Sequence, residues 1–182
     1  MSKAISNKNV ADAKFAPAPF DGPFKAALGR PELKGSWLIF GKSGSGKTTF
    51  ALQLAKYLTR FVDKVAFDSL EQGLSLSMQK AWKRVDMAAA GSKVIFLDKE
   101  SLPELRDRLS KRKSPNVIII DSVICLVGMR LADYQKLMND YPNKLFIFLA
   151  HEDDRGNPSP ALAEKIRKLS DIKMHVEGYK VC

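Results

Sequence analysis

Two glycines, a lysine and a threonine fall at the spacing GxxxxGK[ST] in "GKSGSGKTT", residues 41–49. Gly41 and Gly46 let the backbone curl so that successive N–H groups point inward at phosphate oxygens. Lys42, Ser43, Gly44 and Ser45 complete the loop, and Lys47, Thr48 and Thr49 open the segment behind it. A helix starting near Lys47 would add its positive dipole end. Lys47 is expected to reach the β- and γ-phosphates of a nucleotide, and Thr48 to offer its hydroxyl to Mg²⁺. The bland alternative is a Gly/Ser turn that happens to contain Lys-Thr. The loop's position between the apolar run "SWLIF" and an amphipathic stretch argues against it.

Carboxylates follow two other apolar runs. "NVIIIDS" ends in Asp121, and a carboxylate at the C-terminal tip of a buried strand lies where ligands bind in open α/β sheets. Beside a phosphate loop, Asp121 is the natural partner of Thr48 around Mg²⁺, a strand-end or helix-cap aspartate being the plain alternative. Hydrolysis would also need a group that polarises water in line with the γ-phosphate. "VAFDSLEQG" offers Asp68 and Glu71. Glu71 precedes Gly73 and can sit on a turn facing the nucleotide, or it can be a helix-start glutamate favoured by the dipole. Composition does not choose between Asp68 and Glu71.

The elements that must carry these groups alternate. Strands are expected at 36–40, 64–67, 93–97, 116–121, 144–150 and 171–176. Helices are expected at 47–61, 74–85, 101–113, 131–141 and 160–170, the third with Ser101 as cap and Pro103 in its first turn. Wholly apolar strands alternating with helices imply an α/β fold, with a mainly parallel sheet covered by helices on both faces. Residues 1–20 are polar and then Ala/Pro-rich and read as a flexible arm, with one domain over 21–182. The last residues, "HVEGYKVC", read as one arm of a hairpin, a turn and the start of the other arm.

Bulk properties narrow the setting. The chain has 182 residues, 45% of them hydrophobic, which suffices for one core. Its two cysteines, Cys125 and Cys182, lack metal or redox spacing, so a reducing, cytoplasmic setting is expected. The start, "MSKAISNKNVADAK", has no apolar core of a signal peptide. The apolar stretch "VIIIDSVICLVGM" carries Asp121 and is too short to span a bilayer, so no membrane contact is expected. The net charge of +10 invites a polyanion such as nucleic acid, a solvated basic surface being the alternative.

The order of "GSWLIFGKSGSGKTT", "VAFDSLEQG", "VIIIDS" and "FIFLAHEDDRGNPSP" resembles the RecA-type P-loop ATPase core, in its RadA-like and DnaB-helicase-like branches. The resemblance runs from about Gly35 to Val181. It implies a RecA-like fold that binds ATP with Mg²⁺ and a catalytic glutamate just after the second core strand, which is Glu71 here. It also implies that the strand ending at Ala150 lies between the phosphate-loop strand and the Asp121 strand. His151 would then stand beside the γ-phosphate as a sensor of nucleotide state, with a mobile loop behind it. Hydrolysis in such cores occurs between subunits, so a homo-oligomer through the ATP site is implied, with a Lys or Arg supplied by a neighbour. Lys180 is the nearest basic residue to the end of the final hairpin.

The leading reading is therefore Mg-dependent ATP binding and hydrolysis, coupled to DNA recombination, repair or replication. Two alternatives stand beside it. A small-molecule phosphotransferase would need an arginine-rich lid, for which Arg155 alone is poor. A non-catalytic nucleotide-binding adaptor would use Glu71 only as a helix cap. Among smaller signals, "HEDD" holds metal-ligand types, but consecutive residues rarely converge on one ion. Trp37 and Trp82 read as core or interface aromatics, and "RDRLSKRK" as a helix face that is either solvated or in contact with phosphates.

Overall fold

The computed structural model describes residues 4–181, so Cys182 lies outside the described residues. The chain divides into two compact units, one up to Leu33 and one from Lys34 onward. The first carries two short helices, α1 (Asn7–Ala11), capped by Ser6, and α2 (Gly22–Leu28), with Pro23 in its first turn. Within it the Ala18 N–H bonds the Pro31 carbonyl at 2.8 Å.

The second unit is built on one sheet. Its strands are β1 (Gly35–Gly41), β2 (Val65–Ser69), β3 (Val94–Leu97), β4 (Val117–Asp121), β5 (Leu145–Glu152), β6 (Pro158–Ser159), β7 (Ile172–Glu177) and β8 (Lys180–Val181). The order is β3-β2-β4-β5-β1-β7-β8, with β6 paired to β5. The pairings from β3 through to β7 are parallel, and β5–β6 and β7–β8 are antiparallel. The Ala150 strand, β5, therefore lies between the phosphate-loop strand β1 and the Asp121 strand β4, as expected.

Parallel strands buried on both faces need apolar residues at every position, and β2 and β4 are buried throughout. Alternate side chains choose the face. Leu38, Phe40, Ile118, Ile120, Phe146 and Phe148 pack with residues of α5 (Leu102–Ser110), α6 (Leu131–Asp140) and α7 (Ala161–Leu169). On the other side α3 (Lys47–Leu58) packs on β1, β2 and β4, and α4 (Leu76–Arg84) packs on α3. Trp37 is fully buried, and Trp82 of α4 meets Phe67 and Phe96 edge-on at 6.4 and 5.6 Å. Both tryptophans serve the core.

Two helices end clearly earlier than expected, and α3 stops at Leu58 rather than at 61. Helix α5 stops at Ser110 rather than at 113, because Lys113 adopts φ 61° and Pro115 follows. Behind β5 the chain closes into a hydrogen-bonded turn. Asp153 Oδ1 accepts the N–H groups of Arg155 (2.9 Å) and Asn157 (2.8 Å), and β6 returns against β5. Among the described residues, no helix is long and apolar enough to cross a membrane.

Candidate nucleotide site

The 41–49 loop leaves β1 at the C-terminal edge of the sheet and runs straight into α3. Gly46 caps that helix at φ 99°, a backbone that side-chain-bearing residues rarely adopt. A Cβ there would also lie 2.8 Å from the Tyr179 ring, and one on Gly41 would lie 2.2 Å from the Val176 carbonyl. The β7–β8 hairpin thus rests on the loop, and the Tyr179 N–H bonds the Ser45 carbonyl at 3.2 Å.

Inside the loop, Lys47 is buried and its ammonium donates to the carbonyls of Gly41 (2.9 Å) and Lys42 (2.8 Å). Burial pulls its pKa down, and Asp121, Glu71 and Glu152 pull the other way. Ser45 Oγ is buried and lacks a hydrogen-bond partner. An orphaned hydroxyl beside a buried ammonium suits an oxygen-rich anion.

Thr48 Oγ1 donates to Asp121 Oδ2 at 2.9 Å, so the two residues expected to share a metal ion already touch. Burial pushes the Asp121 carboxyl up to about 6, against the hydrogen bond from Thr48. A hydroxyl and a carboxylate of this kind fit a hard cation such as Mg²⁺, which prefers oxygen ligands.

Glu71 follows β2 on a turn whose backbone is tied to β4, its N–H bonding the Asp121 carbonyl at 3.0 Å. Glu71 Oε2 accepts from Ser122 Oγ (2.9 Å) and lies 2.9 Å from His151 Nε2. Burial opposes the Glu71 charge, but the hydrogen bonds from His151 and Ser122 outweigh it and hold the carboxyl below its usual range. Asp68 is elsewhere. It is 1% exposed, accepts the Glu100 N–H at 3.1 Å, and burial pushes its pKa up to about 7. Asp68 is turned to the Glu100 backbone and shares none of the contacts that join Glu71 to Ser122 and His151, so the geometry separates the two carboxylates that composition left open.

The structure brings together Lys47, Thr48, Asp121, Glu71 and His151. It also adds residues that the sequence did not single out. Ser122 has no motif of its own beyond following Asp121. Glu152 points away from His151 and holds His175 Nε2 at 2.6 Å, while the His175 ring sits 4.8 Å from that of Phe40. "HEDD" therefore diverges: His151 turns to Glu71, Glu152 to His175 and Asp153 to its own turn. Among the described residues no cluster of His, Cys, Asp and Glu could hold a metal ion by itself.

The chain is similar to known proteins along most of its length. Residues 37–171 match the model of the ATPase family associated with various cellular activities (AAA). A stretch of 102 residues is 31% identical to the DNA repair and recombination protein RadB of Methanosphaera stadtmanae, covering 52% of this chain and 44% of that protein. The match thus spans less than half of that relative. The flagellar accessory protein FlaH of Methanocaldococcus jannaschii superposes with a TM-score of 0.64 at 16% identity, over 91% of this chain and 84% of its own. The ATPase domain of a further solved protein gives 0.60 at 19% identity, over 84% and 72%. A KaiC-like protein of Pyrococcus horikoshii gives 0.57 at 18%, over 84% and 77%. The matched model covers well over half of the chain and contains the loop, Glu71, Asp121 and His151, so this chain belongs to the AAA family of ATPases and carries a RecA-like P-loop fold.

Proposed function

We propose that this chain binds Mg-ATP in the 41–49 loop and hydrolyses it, in the service of DNA recombination, repair or replication. The observation that carries the reading is the meeting of an ionised Glu71 with His151 at the same sheet edge as Lys47 and the Thr48–Asp121 pair. Lys47 exchanges the carbonyls of Gly41 and Lys42 for phosphate oxygens, and the loop N–H groups hold the rest of the chain of phosphates. Thr48 and Asp121 would hold Mg²⁺, which supplies positive charge against the phosphate oxygens. Glu71 accepts a hydrogen bond from the attacking water and polarises it toward the γ-phosphorus. The new P–O bond forms as the bond to the bridging oxygen of ADP breaks. His151, already bonded to Glu71, reports the presence of the γ-phosphate. A neighbouring copy of the chain supplies the cation that neutralises charge on the transferred group.

The link to DNA rests on the RadB relative, a DNA repair and recombination protein, and on the net charge of +10. A cytoplasmic setting, where a half-buried thiol such as Cys125 stays reduced, accords with it. Phosphate release with Mg-ATP, alone and with single-stranded DNA, tests the reading. Release without any acceptor molecule is expected. Release only on adding a small-molecule acceptor would identify a phosphotransferase, and binding without release an adaptor.

A further inference from the structure

Five neighbouring strands of the sheet start on one line. Val94 of β3 is level with Val65 of β2, Val65 with Val117 of β4, Val117 with Leu145 of β5, and Leu145 with Gly35 of β1. The residues just before them therefore form a row: Lys93, Lys64, Asn116, Lys144 and Lys34. Lys113 stands at the one gap. Lys64 Nζ reaches the Lys113 carbonyl at 3.4 Å, and Asn116 Oδ1 accepts the Lys64 N–H at 3.2 Å. Lys93, Lys113 and the adjoining Arg112 are exposed. At about 4.8 Å between strands, the row is ~19 Å long.

Helix C-termini also point to this edge, and cations are at home there. Lys93 Nζ bonds the Thr59 carbonyl at 3.0 Å, and the half-buried Lys144 bonds the Pro115 carbonyl at 2.6 Å and Ser114 Oγ at 2.9 Å. A carbonyl bond occupies one of three ammonium protons and leaves the charge in place. The carboxylates on the same edge include Asp63 beside Lys64, Asp171, which accepts the Ser36 N–H at 3.0 Å, and two at helix C-termini that already hold cations of their own, Asp86 with Lys56 and Asp140 with Arg106 and Lys136. The opposite edge is mixed, with Glu71, Asp98, Glu100, Asp121, Glu152, Asp153 and Asp154 following the strands beside Lys42, Lys47, Lys99 and Arg155.

We infer that the lysine row at the N-terminal edge of the sheet, opposite the ATP loop, binds the sugar-phosphate backbone of a nucleic acid. The inference rests on the nucleic-acid part of the proposed function and not on hydrolysis. It puts the backbone away from the acidic turn behind His151. The contacts are charge to phosphate, so they are insensitive to base sequence and sensitive to salt.

Fluorescence anisotropy of the whole chain with a labelled oligo(dT) and a duplex of equal length tests it, between 50 and 200 mM salt. With about four lysines engaged on a single strand, the slope of log K against log salt is about −3, a loss of roughly fiftyfold over that range. Lys64→Glu/Lys93→Glu/Lys113→Glu is expected to lower affinity about tenfold or more and to flatten the slope by about 2. Lys80→Glu/Lys99→Glu/Lys165→Glu makes the same change in net charge on exposed positions in the middle of α4 and α7 and behind the far end of β3, and is expected to bind like the parent. If the first triple melts early, Lys64→Gln/Lys93→Gln/Lys113→Gln replaces it, with a smaller loss of the same sign. Equal losses in both triples would show net charge rather than the row at work. Parent-like binding by the row variant would place the nucleic acid elsewhere and leave the nucleic-acid reading standing. No binding by the parent would overturn both, while leaving phosphate release untouched.

Discussion

His151 Nε2 lies 2.9 Å from Glu71 Oε2, although the strands that deliver them, β5 and β2, are not neighbours. Strand β4 runs between them, and Ser122 at its end bonds the same Glu71 oxygen. One carboxylate thus joins the tips of three strands at the edge where the phosphate loop opens.

If Glu71 polarises water, Glu71→Gln should leave Mg-ATP affinity within a few-fold of the parent and lower kcat by about 10² to 10⁴. The amide keeps the shape but is a far weaker acceptor. Calorimetry and phosphate release measure the two quantities on one preparation. A variant turning over at the parent rate would return Glu71 to a structural role.

Lys47→Ala tests the cradle. Two charge-assisted hydrogen bonds to phosphate oxygens are lost, so nucleotide affinity should fall by about a hundredfold or more. Unchanged affinity by calorimetry would remove the loop from the ATP site.

His151→Ala tests the sensor. Nucleotide affinity should change little, because Lys47 and the loop are intact. What should vanish is coupling: a change in oligonucleotide affinity on adding a non-hydrolysable ATP analogue, about 5- to 150-fold for typical linked sites, should fall toward none. An equally ATP-dependent variant would end the sensor role.

Asp68 gives a prediction in pH. Its carboxyl is pushed up to about 7 in the fold by burial, from an ordinary value of 3.8. Between those values the folded chain holds a proton that the unfolded chain has released. Its contribution is therefore full below about pH 4 and is lost as pH rises through 7. Asp68→Asn removes this slope while keeping an acceptor for the Glu100 N–H. The stability of the variant relative to the parent should climb from pH 4 to pH 7, by at most about 4 kcal/mol, and then level off. Urea melts across that range measure it, and a flat difference would mean Asp68 is ionised in the fold.

The strands and the phosphate loop were legible because they are local, whereas the place of β5 between β1 and β4 came only from the resemblance. Four apolar residues ahead of a Gly-rich turn can hardly be anything but a buried strand and its loop. The end of α5 was not legible from periodicity, since Arg112 and Lys113 continue a helical pattern that the backbone abandons at Ser110. The turn at Met87–Lys93 is a 3-10 segment too short to show a period. The least legible contacts are those across non-adjacent strands. Nothing in the spacing of Glu71, Ser122 and His151 along the chain says that three strand tips meet. The resemblance supplied Glu71 and His151, and Ser122 had no signal but its place after Asp121.

Ser122 is therefore the residue on which the geometry adds most. Its hydroxyl is buried and donates to Glu71, and that bond, with the one from His151, holds the Glu71 carboxyl below its usual range. A hydrogen bond to a charged group is worth about 1.5–3 kcal/mol, and a fraction of that lost in the transition state lowers kcat by about tenfold. Ser122→Ala should do so with nucleotide affinity unchanged. A purely structural role could mimic the slower rate but not the second effect. Without Ser122 the Glu71 pKa rises, so the acid limb of the kcat profile must move to higher pH. Ser122→Thr, which keeps a hydroxyl, should restore the limb toward its parent position. A slower Ser122→Ala enzyme with an unmoved acid limb would mean that the hydroxyl supports the strand end and does not position the glutamate.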